Sequence, residues 1–251
     1  MPLPEIRIIG IPGLPEILSG SNLADLICQA IHASPLEVQD KDILVVTQKV
    51  VSKAEGRIVL LDSIQPSPLA HAWAQELNKE PSLLEIILRQ TRRVVRMDQG
   101  RLIVETQHGF VCANAGVDTS NVAPGMVTLL PEDPDGSAQR LRTYLQESFD
   151  CNLAVIISDT FGRPWRNGLV NVAIGTAGLI PLMDYRGEPD SAGRPLEATA
   201  MAWADELAAA AELVMGKTLN LPIALVRGLN YSTGQSSADL LIRGANEDLF
   251  R

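Results

Sequence analysis

Residues 153–157 read LAVII, an unbroken apolar run, and the residues that follow change character completely. A run this short and this apolar is a strand that has to lie inside a core. It leads into ISDTFGRPWRNG, residues 157–168, which holds one acid, two arginines, an indole, two hydroxyls and two glycines. Any fold open to this chain must therefore deliver polar, backbone-permissive chemistry at the end of a buried strand. Residues 42–47, DILVVT, read as a second buried strand and lead into QKVVSKAEGR.

Around these runs the pattern mixes strands and helices. Residues 6–9 predict a short strand, followed by a Gly- and Pro-rich loop, GIPGLPEILSG. Ser21 or Asn22 is placed to cap a helix with apolar positions Leu23, Leu26, Ile27 and Ile31 at helical spacing. Strand character resumes at 58–61, helices are expected over 70–78 and 81–90, and 93–96, 102–105 and 109–113 read as a meander. A further strand is expected at 126–129. PEDPDGS reads as a turn and helix start before a helix over 138–149. An Ala-rich helix is expected over 196–215 and a strand over 222–226, before a polar tail. Without a steady βαβ rhythm the fold class is α+β, not a doubly wound sheet. The Gly-rich middle, 162–194, reads either as an active-site loop system or as a domain junction.

Composition narrows the function classes. A chain of 251 residues buries one large core or two small ones. Its net charge of −9 argues against non-specific binding to nucleic acid or acidic membranes, and 4% aromatics argue against a base-stacking platform. Three cysteines without a close pair make no disulfide framework, which points to a reducing, cytoplasmic compartment. The N-terminus lacks the pattern of a signal peptide, and no apolar run reaches the roughly 18 residues of a membrane span.

Nucleotide fingerprints are weak. Met215-Gly216-Lys217-Thr218 ends like a P-loop, but Ala211 stands where its first glycine belongs, and the approach is helical. Gly216 reads better as a helix terminator. There is no G-x-G-x-x-G. His32, His71 and His108 are too scattered for a zinc site.

Carboxylates are more telling. Asp118 in CANAGVDTSN and Asp159 in ISDT each follow an apolar strand and stand among hydroxyls, amides and glycines. Acids so placed suit a hard cation that holds phosphate oxygens, and Mg2+ needs few protein ligands. Either Asp alone is better explained as a turn cap, and it is the paired context that tilts the reading toward a metal. Lys49 and Lys53, with Ser52 between them, and Arg163 and Arg166, bracketing Pro164-Trp165, offer positive charge to an anion. Structural ion pairs or a solvated surface explain them as well, and Trp165 reads as a packing anchor or a stacking surface. Together these features point to a metal-dependent site for an anionic, phosphorylated ligand.

ANAGVDTSN, SDTFGRPWRNG, VAIGTAGL, TQKVVSKAEGR and the closing IRGANEDLF together resemble the coenzyme F-420-0:L-glutamate ligases. The resemblance extends from GLPEI to EDLF. It implies a mixed-sheet, two-domain α+β ligase fold that is neither P-loop nor Rossmann. That fold would form one unit over 1–251, with two intertwined subdomains meeting near 162–194, and would act as a homodimer. It implies GTP as phosphoryl donor, Mg2+ or Mn2+ with K+, and L-glutamate and an F-420 precursor as small-molecule partners. Leu14, Pro15, Glu16, Ile17, Gln48, Lys53, Asn121, Met215, Gly216 and Lys217 would border the nucleotide, and Asp118, Asp159 and Thr160 would hold metal. Arg163 and Arg166 are the candidates for gripping substrate anions.

The implied reaction adds glutamate through an acyl phosphate and releases GDP and phosphate. A ligase or kinase for another small carboxylate, or a non-catalytic nucleotide-binding protein, is the alternative. Two positions depart from the family pattern. Gln48 replaces an expected Ser or Thr, and Lys217 replaces an expected amide or acid near a metal. A protonated lysine cannot ligate a cation.

Overall fold

The protein is described by a computed structural model over residues 3–234 and 236–248; Leu249, Phe250 and Arg251, the end of the closing motif, lie outside the described residues. The first half of the chain runs β1 (Arg7–Gly10), α1 (Leu23–His32), β2 (Ile43–Thr47), α2 (Gln48–Ala54), β3 (Ile58–Leu60), α3 (Pro68–Leu77), α4 (Pro81–Gln90), β4 (Thr91–Asp98), β5 (Arg101–Thr106), β6 (Val111–Ala113) and β7 (Met126–Thr128). The second runs α5 (Pro134–Phe149), β8 (Ala154–Arg163), β9 (Arg166–Ala177), β10 (Met183–Asp184), β11 (Ala200–Met201), α6 (Trp203–Met215) and β12 (Ile223–Arg227).

The two apolar runs lie side by side. β2 and β8 pair in parallel at the heart of a five-stranded sheet of order β1-β12-β2-β8-β9, whose other pairings are antiparallel. Both faces of this pair are covered, so neither run alternates with polar residues. Leu44, Val46, Val155 and Ile157 pack with Ile27 and Ile31 of α1 and Leu145 of α5. Ile43, Val45, Ala154 and Ile156 face the other way, onto Ala204, Ala208 and Ala211 of α6. The stretch between α2 and α5 builds a three-stranded sheet β4-β5-β6, where α4 and β5 share a cluster of Leu84, Ile87, Leu102 and Val104. It also builds the two-stranded sheet β3-β7. The architecture is α+β with mixed sheets, as expected from the sequence.

Several boundaries differ from the sequence reading. β8 does not stop with its apolar run but continues to Arg163, pairing with β9 along its length. The first half of the Gly-rich middle is thus an edge strand of the main sheet; beyond it lie only short pairings such as β10 with β11. α6 begins at Trp203 rather than near 196, because backbone bonds from Leu196 to Glu188 and from Tyr185 to Thr199 hold the preceding residues in extended pairings. α5 starts earlier than expected, at Pro134, since Asp133 caps it by accepting from the Gly136 amide at 2.9 Å. Among the described residues no helix is long and apolar enough to cross a membrane.

One buried ion pair ties the sheet to the loop before β2. The Arg227 guanidinium donates to both oxygens of Asp42 at 2.8 and 2.6 Å, and to the Glu37 carbonyl at 2.6 Å. Asp42 also accepts from the Gln39 amide at 2.8 Å. Replacing Asp42 with Ala leaves the guanidinium without its buried partner, so Asp42→Ala should lose about 3–5 kcal/mol in urea unfolding. A loss below 1 kcal/mol would show that solvent readily takes over the pairing.

Candidate active site

A cavity of about 780 Å³ opens where β2 and β8 end on the same side of the sheet. Most of its wall comes from five places in the chain, and Leu169 and Asn171 of β9 and residues 220–222 complete it. The loop after β1 gives Leu14, Pro15, Glu16 and Ile17, and α2 gives Gln48, Lys49 and Lys53. The loop after β6 gives Gly116, Asp118, Ser120 and Asn121, and β8 gives Ser158, Asp159 and Thr160. The end of α6 closes it with Glu212, Met215, Gly216 and Lys217. Every residue that the resemblance assigned to nucleotide or metal therefore lines one cavity.

Arg163 and Arg166 do not line it. They flank the β8–β9 turn, where the Arg163 guanidinium donates to the Asn167 carbonyl at 2.6 Å, and Arg166 is exposed. Trp165 sits in that turn with φ of 57° and 80% of its surface exposed, so it anchors no core.

The loop carrying Asp118 is held under strain. Asn114, Ala115 and Gly116 take consecutive left-handed conformations with φ of 53°, 56° and 70°. Left-handed backbone at non-glycine residues costs on the order of 1 kcal/mol or more and is tolerated where it serves a site. Gly116 is required, because a Cβ there would meet Leu130 Cγ at 2.7 Å. Beyond the turn, Asp118 exchanges backbone hydrogen bonds with Thr128 at 3.0 and 2.8 Å, which fixes its direction.

Both lysines of α2 that line the cavity are paired with carboxylates. Lys49 Nζ lies 2.7 Å from Asp118 Oδ2 and 2.6 Å from Ser120 Oγ, and Asp118 Oδ1 accepts from the Ser120 amide at 2.7 Å. Desolvation pulls the Asp118 pKa upward as the largest single influence, but the bonds from Lys49 and Ser120 together outweigh it and the net shift is downward. The Lys53 side chain is only 8% exposed and its ammonium reaches Glu16 Oε1 at 2.6 Å, while the Glu16 side chain is 74% exposed. Asp159 behaves oppositely. Burial pushes its carboxyl up to about 6; the Asp118 charge adds to this, while the Thr160 amide, Lys217 and Lys49 pull it back.

The donor set fits a hard cation. Asp118 and Asp159 present carboxylate oxygens to the cavity beside the Thr160 hydroxyl, and the Asp118 charge that helps raise the Asp159 pKa would be relieved by a cation between the two. Among the described residues no three His, Cys, Asp or Glu side chains gather into a closed cage, so such an ion would keep part of its water shell.

The sequence reading left out Ser158, Asn171 and Glu212. Ser158 Oγ is buried at the cavity wall without a hydrogen-bond partner. Thr160 donates to Asn171 Oδ1 at 2.7 Å, and Asn171 Nδ2 donates to Glu212 Oε2 at 3.0 Å. Reading 166–177 as strand would have found Asn171, which pairs directly across from Thr160.

Residues 13–228 match the sequence model of the family described as F420-0:Gamma-glutamyl ligase. The chain is 47% identical to the Coenzyme F420:L-glutamate ligase of Methanothermobacter thermautotrophicus, over 98% of this chain and 99% of that protein. It is 44% identical to the protein of the same name from Methanopyrus kandleri, over 99% of each chain. For that of Methanocaldococcus jannaschii the identity is 39%, over 98% of this chain and 97% of that one.

A pH signature follows from Asp159. Its folded pKa of about 6 stands above the ordinary 3.8, so folding favours the protonated form. Stability is then full below pH 4 and falls as pH rises through 6, by roughly 2–3 kcal/mol for this group. In metal-free protein, Asp159→Asn should match the wild type near pH 4 and exceed it above pH 7 in urea midpoint. Parallel pH profiles for the two proteins would exclude the raised pKa.

Proposed function

Because the chain belongs to the F420-0:gamma-glutamyl ligase family, we propose that it joins L-glutamate to a deazaflavin F-420 precursor at the expense of GTP. The observation that carries this reading is the meeting of Asp118 and Asp159 with Lys49 and Lys53 in one cavity. Its volume falls in the range of small-molecule and cofactor sites. Paired acids with lysines beside them suit a polyphosphate whose charge is shared between cations and ammonium groups.

Carboxylate and amine do not condense unaided in water, so the acid has to be activated. A carboxylate oxygen of the precursor would attack the γ-phosphorus of GTP, forming an acyl phosphate as the bond to GDP breaks. The glutamate amine would then attack the acyl carbon, form the amide bond, lose a proton and expel phosphate. Mg2+ or Mn2+, held by Asp118, Asp159 and Thr160, would neutralise charge on the phosphate oxygens. Lys53, held in place by Glu16, would contact phosphate oxygens, and Lys49 would move between Asp118 and the incoming anion. Arg163 and Arg166 do not line the cavity, and Arg163 is engaged by the Asn167 carbonyl, so neither is given a part in this task. The strained Asp118 loop and the paired end of β8 hold the two carboxylates in advance, which lowers the cost of reorganisation during transfer.

Incubation with GTP, divalent metal, L-glutamate and the precursor should give GDP, phosphate and a product heavier by one or more glutamates in mass spectrometry. Triphosphate bound but never turned over would leave a binding protein instead, and turnover with a different carboxylate would redirect the substrate assignment. Asp159→Asn should lower the rate by about a hundredfold or more without lowering the unfolding midpoint. Full activity in that variant removes Asp159 from the metal site. Lys53→Ala should weaken triphosphate affinity by about tenfold, read by calorimetry.

A further inference from the structure

Lys217 stands in a setting that a simple surface lysine does not have. Its stem is exposed, with 60% of the side chain open to solvent, but its head turns into the cavity. There Nζ lies 2.6 Å from Thr160 Oγ1, 3.2 Å from Glu212 Oε1 and 3.4 Å from Asn171 Oδ1. An ammonium carries three N–H donors and no acceptor, so three oxygens match its capacity.

The oxygens are themselves fixed by one another. Thr160 accepts from Lys217 and gives its own proton to Asn171 Oδ1, while the Asn171 amide group holds the second oxygen of Glu212. Asn171 is buried and Thr160 partly so, which sets the cage before any ligand arrives. Gly216 aims the lysine. It takes φ of 57° and ψ of 158°, a conformation costly for other residues, and its amide bonds the Glu212 carbonyl at 2.9 Å. Glu212 and Lys217 are thereby held together at one helix end.

We propose that the Lys217 ammonium is a resident monovalent cation of this site, caged by Thr160, Asn171 and Glu212, which supplies fixed positive charge to an anionic ligand without an ion taken from solution. Ammonium and potassium are similar in size and both accept oxygen cages of this kind, so removing the side chain vacates a site for a free ion. The identity of the ligand as a nucleoside triphosphate rests on the function proposed above; the cage itself does not.

Two measurements test this separately. Ligand-free crystals of wild type and of Lys217→Ala are soaked in rubidium chloride. Anomalous density should appear among Thr160 Oγ1, Asn171 Oδ1 and Glu212 Oε1 in the variant and be absent from the wild type. Turnover of GTP is then compared in ammonium, potassium and choline chloride at equal ionic strength. The wild type should be indifferent to the cation. Lys217→Ala should lose about a hundredfold in choline and regain at least about tenfold in ammonium or potassium, and Lys217→Gln, which fills the space, should regain less. A variant without rubidium density, or a wild type that potassium stimulates as strongly as the variant, overturns the proposal. If no GTP is turned over by either protein, the ligase reading fails, while the rubidium density still decides the cage.

Discussion

The parallel pairing of β2 with β8 is the constraint on which the rest depends. Two strands side by side and in the same direction must end on the same edge of the sheet, and ligands of such sheets gather outside those carboxyl ends. The register sets Thr47 opposite Ser158. One step further along each strand come Gln48, which opens α2, and Asp159. The lysines of α2 and the acid and hydroxyl of β8 are thus delivered to one place by backbone geometry, before any side chain contributes. Covering both faces of the pair with α1, α5 and α6 makes this arrangement rigid, because slipping either strand by one residue would exchange the contents of the two apolar clusters.

Rigidity matters because the cavity concentrates charge that would otherwise scatter. The whole chain carries −9, yet Asp118, Asp159 and Glu212 meet Lys49, Lys53 and Lys217 around one opening. Asp118 is drawn toward its ionised form by Lys49, whereas Asp159 is pushed by burial to about 6. Two like groups held in different protonation tendencies, beside lysines already paired to carboxylates, form a site suited to exchanging its internal ion pairs for those of an anion. A surface patch with the same residues would be screened by water and salt and would gain little by the exchange.

How far this was legible in the sequence depends on which physical signal each part emits. The runs at 43–46 and 153–157 announce themselves because burial on both faces removes every polar residue. β9 gives no such signal. Its first half is exposed and carries Arg166, Asn167 and Gly168, so a strand made by pairing with β8 reads as loop, and Asn171 vanished with it. α6 misled in the other direction, since residues 196–202 have helical composition but are held by partners distant in sequence. Arg163 and Arg166 stand close to Asp159 in sequence, but on an extended hairpin each residue adds about 3.3 Å, and neither lines the cavity. The loop residues Leu14 to Ile17 emit no physical signal at all, and only the resemblance could place them.

Met215-Gly216-Lys217 shows the limit of reading chemistry from a short pattern. In a P-loop the lysine precedes a helix, and phosphate is met by the positive end of the helix dipole. Here the glycine ends α6, so Lys217 stands at the negative end, where a cation is favoured and the Glu212 carboxylate adds to that preference. The same three letters therefore serve opposite electrostatics. One places an anion on a helix, and the other secures a cation beside it. Securing an ammonium this way lets the charge remain in the cavity, tethered by its own backbone, where a free ion would have to be captured from solution at each cycle.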